Sequence, residues 1–311
     1  MFFANMKSAA MQVAILYLIV LIGFICDRAK IYTEKTAVAT VDLLLYIIVP
    51  CMLITSFIEM EMTADTVKKF FISLGVAFAT HFISIGLNLP FFRKKDGVNP
   101  IFKYASIYGN VGYMALPLAE AVLGAEGVFY CASGVIAFNI ITFTHGAKVM
   151  AGDKFKLNVK RLILNPGVIS VIIGLPLFLL QVNVPQIIAK PLDLVGSLNT
   201  PVAMLIFGTY LSRTDLKNMF TEKRIYLVAF LKLILMPFIC LGIYRLCGIT
   251  GTLLVASAIT ASVPCANNTF MFASKYERDT GVASKTVALV SFISIITMPI
   301  VIAAAQSLGS I

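Results

Sequence analysis

Long apolar runs, interrupted only by short clusters of charge, constrain this chain more than any other feature. Ten runs can be marked, at 9–27, 36–58, 66–90, 101–123, 126–148, 161–181, 185–211, 224–247, 251–274 and 281–307. Each is close to the roughly 20 residues that a helix needs to cross about 30 Å of hydrocarbon while keeping its backbone groups bonded within the segment. A closed barrel would show alternating segments of about ten residues, and none are present. A soluble core could not absorb this much apolar surface. Hydrophobic residues make up 59% of the chain and charged residues 13%, against about 45–50% and about 25% in soluble domains. The fold class expected is an all-α membrane protein without a separate water-soluble domain.

A net charge of +10 would point to nucleic acid in a soluble protein, but here the basic residues fill the links between runs. Of the 25 Lys and Arg, 19 lie in odd-numbered links and five on the other side (Lys7, Lys68, Lys69, Lys190, Arg245), leaving Lys232 inside a run. This asymmetry predicts odd loops in the cytoplasm and both termini outside, in a cell membrane of the bacterial inner-membrane type. Trp is absent, so Tyr32, Tyr46 and Tyr226 are the expected interfacial anchors. The first run ends in GFICDRAK, with no small-residue cleavage site, and reads as a span rather than a leader. The six cysteines form no C-x-x-C pair and read as small hydrophobes. With two distant histidines, no H-E-x-x-H and no G-x-S-x-G, neither a metal site nor an enzyme is expected.

The runs repeat. VDLLLYIIVPCML (41–53) and LDLVGSLNTPVAM (192–204) share the Asp-to-Pro spacing of Asp42/Pro50 and Asp193/Pro201, at an offset of 151. VLIG ending at Gly23 and VIIG ending at Gly174 match at the same offset, and NIIT (139–142) matches SIIT (294–297) at 155. The reading is two repeats of five spans, 1–148 and 161–311, joined by a cytoplasmic linker at 149–160. An odd number of spans inverts the second copy, a recurring transporter plan that places substrate near the midplane at discontinuous helices.

Two corresponding spans carry helix breakers. The fourth reads YASIYGNVGYMALPLAEAVLG, with Gly109, Asn110, Gly112 and Pro117. The ninth reads TASVPCANNTFMFAS, with Pro264, Asn267 and Asn268. Pro removes an amide donor and Gly loosens the helix. Amides at membrane depth are costly unless they line a cavity or find partners. The functional reading is a crossing of broken helices that offers amides to a substrate; the alternative is kinked helices glued by Asn. Asn267-Asn268-Thr269 also fits a glycosylation acceptor, which its depth argues against.

The stretches GNVGYMALPLAEAVLGAEGVFYCAS (109–133), NPGVISVIIGLPL (165–177), LNTPVAMLIFGTYL (198–211) and ASKYERDTGVASKTVALVSFISIITMPI (273–300) resemble the auxin efflux carrier family, and the chain is similar to its short bacterial, malate permease-like members. It lacks the long central hydrophilic loop of the plant carriers, so auxin itself is not implied. The resemblance implies the fold of bile-acid sodium symporters and sodium/proton antiporters. Spans one, two, six and seven would form a scaffold, and spans three to five and eight to ten a mobile transport part. Spans four and nine would cross at the binding site, with Asn110, Pro117 and Pro264 as crossover residues. Substrates would be organic anions such as malate or auxin-like acids. Coupling to a proton or sodium is not inherited, and no other cofactor is implied. The expected partners are the substrate and the bilayer, with room for a homodimer.

Among ionisable groups inside spans, Lys232 either attracts an anion or snorkels to the cytoplasmic face. His81 stands 151 residues before it; it is a proton-relay candidate or, the favoured reading, a hydrogen-bonded structural residue. Asp42 and Asp193 read first as first-turn residues favoured by the helix dipole and second as coupling-ion ligands. Glu120, beside Pro117, is a further candidate. The leading function is alternating-access transport of small organic anions, with an ion or solute channel and a sodium-coupled anion symporter as alternatives.

Overall fold

The computed structural model describes residues 2–93, 96–157, 160, 163–214 and 218–309. Among them, regular structure is helical throughout: α1 (Phe2–Arg28), α2 (Glu34–Glu59), α3 (Ala64–Asn88), α4 (Asn99–Ile107), α5 (Val111–Lys154), α6 (Pro166–Leu179), α7 (Gln186–Ser212), α8 (Lys223–Leu246), α9 (Gly251–Ser262), α10 (Asn268–Lys275) and α11 (Thr280–Gly309). Seven of these are long and apolar enough to cross a membrane (α1, α2, α3, α5, α7, α8 and α11), and α6 and α9 are shorter apolar helices. Leu18, Leu21 and Ile22 of α1, with Ile172 and Ile173 of α6, are exposed. Such an apolar belt suits lipid rather than water. The chain is a multi-pass membrane protein.

Prolines shape these helices. The π-helical turns Leu44–Ile48, Val111–Ala115 and Leu231–Leu235 stand just before Pro50, Pro117 and Pro237. A wider turn there accommodates the ring and the missing N–H. Gly124 has φ +66° within α5, a backbone conformation open to glycine at little cost. A Cβ on Gly127 would lie 2.9 Å from the Ala119 carbonyl oxygen. Residues eight apart on a straight helix stand about 12 Å apart along the axis, so α5 folds back at Gly124 into two arms.

α1 packs on α11 and on the second half of α7, and the second half of α2 packs on α6 and the first half of α7. At the α1–α7 contact, Gly208 faces the Val20 carbonyl and Gly23 the backbone of Leu205, and a Cβ at either would collide with the facing helix. Small residues let apolar helices approach to backbone contact, which drives association where lipid already solvates side chains.

The odd-numbered loops gather at one end. Lys154 pairs with Glu277 at 3.3 Å and Arg224 with Asp96 at 3.3 Å, and Arg213 and Ser212 both hold Asp27. Lys94, Lys95, Arg161 and Lys217, which belong to the basic count, lie outside the described residues. At the other end Glu120 accepts from Thr200 at 2.9 Å and Glu126 from Thr252 at 3.1 Å.

Several boundaries differ from expectation. The long helix of the sixth run covers Pro166–Leu179, because Asn165 caps it and Pro166 takes its first position; Ile163 is also helical, and residues 161 and 162 lie outside the described set. α5 runs through the expected linker as far as Lys154. Asp42 and Asp193 are not first-turn residues: their helices start at Glu34 and Gln186, two turns earlier. The helix-dipole reading of both is therefore withdrawn, since that effect fades within the first turn.

Candidate functional site

The two broken stretches meet. The Asn110 N–H donates to the Pro264 carbonyl at 2.8 Å and the Ala266 N–H to the Tyr108 carbonyl at 2.9 Å, with Gly109 opposite Cys265 in an antiparallel bridge. Backbone groups freed by the breaks thus satisfy one another, as buried polar groups must. Four helix ends converge here: the carboxyl ends of α4 and α9 and the amino ends of α5 and α10.

The amino ends face a cavity of 460 Å³, within the range of small-molecule sites. Asn110 and Gly112 line it from α5, and Asn267 and Asn268 from α10. Asn110 is 3% exposed; its side chain caps α5 by accepting from the Tyr113 N–H at 3.4 Å. The buried Asn267 Nδ2 has no hydrogen-bond partner among the described residues. A third amino end, that of α6, borders the same cavity through Asn165 and Gly167. Asn165 accepts from the Gly167 N–H at 3.0 Å and donates at 3.0 Å to Asn139, on the return arm of α5. First-turn N–H groups have no partner within their helix, so three sets of donors and three positive dipole ends border one space. Each end is worth about 0.3–2 kcal/mol to an anion. Among the described lining residues there is no Lys, Arg or His, and the one carboxylate is Asp42 of α2.

The other side of the crossing is different. Lys232 is 1% exposed and does not snorkel to a surface. Its Nζ donates to the Ala261 carbonyl at 3.3 Å, in the last turn of α9. His81 is buried too, with Nδ1 2.8 Å from the Ala77 carbonyl oxygen. Lys232, His81, Ile107 and Gly109 border a void of about 10 Å³, the size of one water.

The sequence-derived residues therefore fall into three groups. Asn110, Gly112, Asn267, Asn268 and Asp42 line the large cavity, and Pro264 supplies the bridging carbonyl beside it. Lys232 and His81 lie together behind the crossing. Pro117 is buried in α5, Glu120 is bound to Thr200, and Asp193 is ion-paired with Lys190 at 2.7 Å at the far end.

The whole chain can be compared with known proteins on this basis. Residues 8–302 match the family described as membrane transport protein. The chain belongs to that family, which holds the auxin efflux carriers. Among its relatives, a putative malonate transporter of Rhizobium meliloti is 25% identical over 236 residues, 73% of either chain. An uncharacterized transporter of Methanocaldococcus jannaschii is 22% identical, covering 92% of this chain and 95% of the relative. The uncharacterized transporter YfdV of Escherichia coli is 24% identical, covering 91% and 93%. Membership of a transport family fits a crossing that borders a cavity. Among the described residues no group of three or more His, Cys, Asp or Glu is placed to hold a metal.

Asn139, Asn165 and Tyr113 also line the cavity, and the sequence did not single them out. Asn165 left a usable sign, an Asn directly before Pro at the start of an apolar run. Asn139 left none, because one amide on a helix does not say which way it faces.

Proposed function

We propose that this membrane transport protein is a secondary carrier of small organic anions, dicarboxylates such as malonate or malate foremost, working by alternating access. The observation that carries this reading is the convergence of three helix amino ends on one 460 Å³ cavity. Amino ends and their free amides are a ready-made carboxylate site. The relative named a putative malonate transporter supports the same class.

In this reading the chain has ten spans in two inverted five-span repeats. α5 supplies the second part of span four and all of span five, and α4 and α10 complete the two broken spans. α1, α2, α6 and α7 form the scaffold, and the remaining helices move against it in an elevator fashion. The tight α1–α7 and α2–α6 packing supports grouping these four helices, with α1 also packed on α11 across the boundary. The cavity runs from the crossing toward the end that gathers the basic loops, past Phe143, Leu164 and Phe272. That end is cytoplasmic by the positive-inside rule, which makes this the inward-facing state, closed outside where Thr200 of the scaffold holds Glu120 of the mobile part. Asp42, the one charged residue among the described residues that line the cavity, is the candidate for carrying a coupling proton.

The test is uptake of labelled malonate and malate by proteoliposomes. Saturable uptake, accelerated by unlabelled dicarboxylate on the opposite side, is expected of a carrier. Conductance without such exchange would establish a channel, and failure to move any carboxylate would remove the anion reading.

A further inference from the structure

The carboxyl ends of α4 and α9 meet behind the crossing, and their last-turn carbonyls have no partner within their helices. In broken-helix transporters such ends, with unwound carbonyls, coordinate the coupling cation. Here a side chain already stands at that place. Lys232 projects from the π turn of α8, and its Nζ bonds the Ala261 carbonyl at 3.3 Å. A Cβ built on Gly109 would come within 3.0 Å of the same Nζ, so the ammonium lies against the bridging backbone itself. Among the described residues no carboxylate lies within 4 Å of it. A buried charge normally needs a partner of opposite charge. The negative ends of two helices are what this one has. Glycine at 109 is what leaves the room, since any side chain there would meet the ammonium.

We infer that the Lys232 ammonium is a tethered replacement for a coupling cation: it occupies the place between the carboxyl ends of α4 and α9 that a free sodium ion would otherwise fill, so the carrier assembles its crossing without sodium. Lys232 is then a positioning residue. It touches no substrate; it holds the crossing so that the amino ends on the other face stay aimed at the cavity. The inference rests on the carrier reading for its consequence, sodium-independent transport, but its test needs no organic anion.

The test is thermal unfolding of the purified full chain in detergent, at equal ionic strength in sodium, potassium or choline chloride. Ligands that bind only the folded state raise its melting temperature. The wild type should melt within about 1 °C in all three salts, because no free cation site remains to be filled. Lys232→Ala should melt lower by about 5 °C or more, a loss in line with orphaning a buried group in a chain of this size. Propylammonium, which restores the missing stem and charge, should recover at least half of that loss, and tetramethylammonium none. Recovery by sodium would equally support a cation place. Lys232→Arg, which keeps the charge, should fall between wild type and alanine. A sodium-specific rise in the wild type would overturn the inference. So would an alanine variant as stable as wild type, or one whose loss no cation restores. If the alanine variant fails to fold, the wild-type salt series and an arginine variant equal to or below Lys232→Met still decide it. Failure of every carboxylate to be transported would leave these results untouched.

Discussion

The two faces of the crossing are built from the same pair of broken helices and could hardly differ more. On one face, amino ends and five asparagines surround a cavity in which the described residues include no basic side chain. On the other, carboxyl ends close over a buried lysine and histidine, leaving space for about one water. If the cavity takes an anion as proposed, its attraction has to come from backbone and amide dipoles, since the buried ammonium stands behind the crossing. A lysine in the cavity would bind an anion strongly in either state of the carrier. Dipole ends bind it weakly enough to release, and their field is fixed in the fold without any reorganisation.

The largest expected effect comes from removing amides on the cavity face. Asn110→Ala takes away the cap of α5, and Asn268→Ala takes away a side-chain donor at the start of α10. Each should lower anion affinity by about tenfold or more, the value of a hydrogen bond to a charged group. Asn268→Ala should keep the wild-type melting temperature, whereas Asn110→Ala should lose a cap's worth of stability as well. Uptake kinetics and melting on the same preparations check both. Wild-type kinetics in both variants would erase the distinction between the two faces.

A smaller effect of opposite sign is expected at Asp42, the cavity's carboxylate among the described residues. Its negative charge repels an anion, so Asp42→Asn should tighten binding by about threefold to tenfold, as loss of a like charge several ångströms away in a wet cavity would. If Asp42 also carries a coupling proton, the variant should exchange anions yet fail to accumulate them under an imposed pH gradient. His81→Gln, on the other face, should leave the pH-driven accumulation intact. Comparing the two variants in one gradient assay shows which face handles protons.

Much of this arrangement could be read in the sequence, and the unread part has a physical cause. Gly109, Asn110, Pro117 and Pro264 mark the breaks because no straight helix tolerates that cluster at membrane depth. The offset of 151 that links His81 to Lys232 joins residues that do border one void. The sequence did not show which face of the crossing they take. Lys232 lies nine residues after Lys223, the first residue of its helix, and a long flexible stem can run along the helix or across to a neighbour. Gly109 settles the matter by opening space across the gap, which only the packed structure displays. Asp42 lies about two turns inside a helix that begins at Glu34, close to the expected start at 36, so its helix-dipole reading fails on distance from the helix end and not on a misplaced boundary. Asn139 and Asn165 reach the cavity only because two distant helices bring them together.

The smallest expected effect lies at the amino end of α4, whose carboxyl end reaches the Lys232 face. Asp96 caps that helix: its Oδ1 accepts from the Asn99 N–H at 2.6 Å and the Val98 N–H at 3.1 Å, and its Oδ2 from Arg224 at 3.3 Å. The backbone N–H of Asn99, first, then that of Val98 and the Arg224 guanidinium hold this carboxyl below the usual aspartate range. A carboxyl lowered by folding contributes stability that is present above its unfolded value of about 3.9 and is lost as pH falls through the lower folded value. Asp96→Asn should therefore melt slightly below wild type at neutral pH, and the gap should close on acidification below about pH 4. The group is exposed and screened by salt, so the gap should also shrink at high ionic strength. Anion affinity should not change, because Asp96 acts on the amino end of α4, and that helix turns its other end away from the cavity. A change in affinity without a change in melting would mean that the field of α4 reaches through the crossing, and that the two faces are electrically coupled after all.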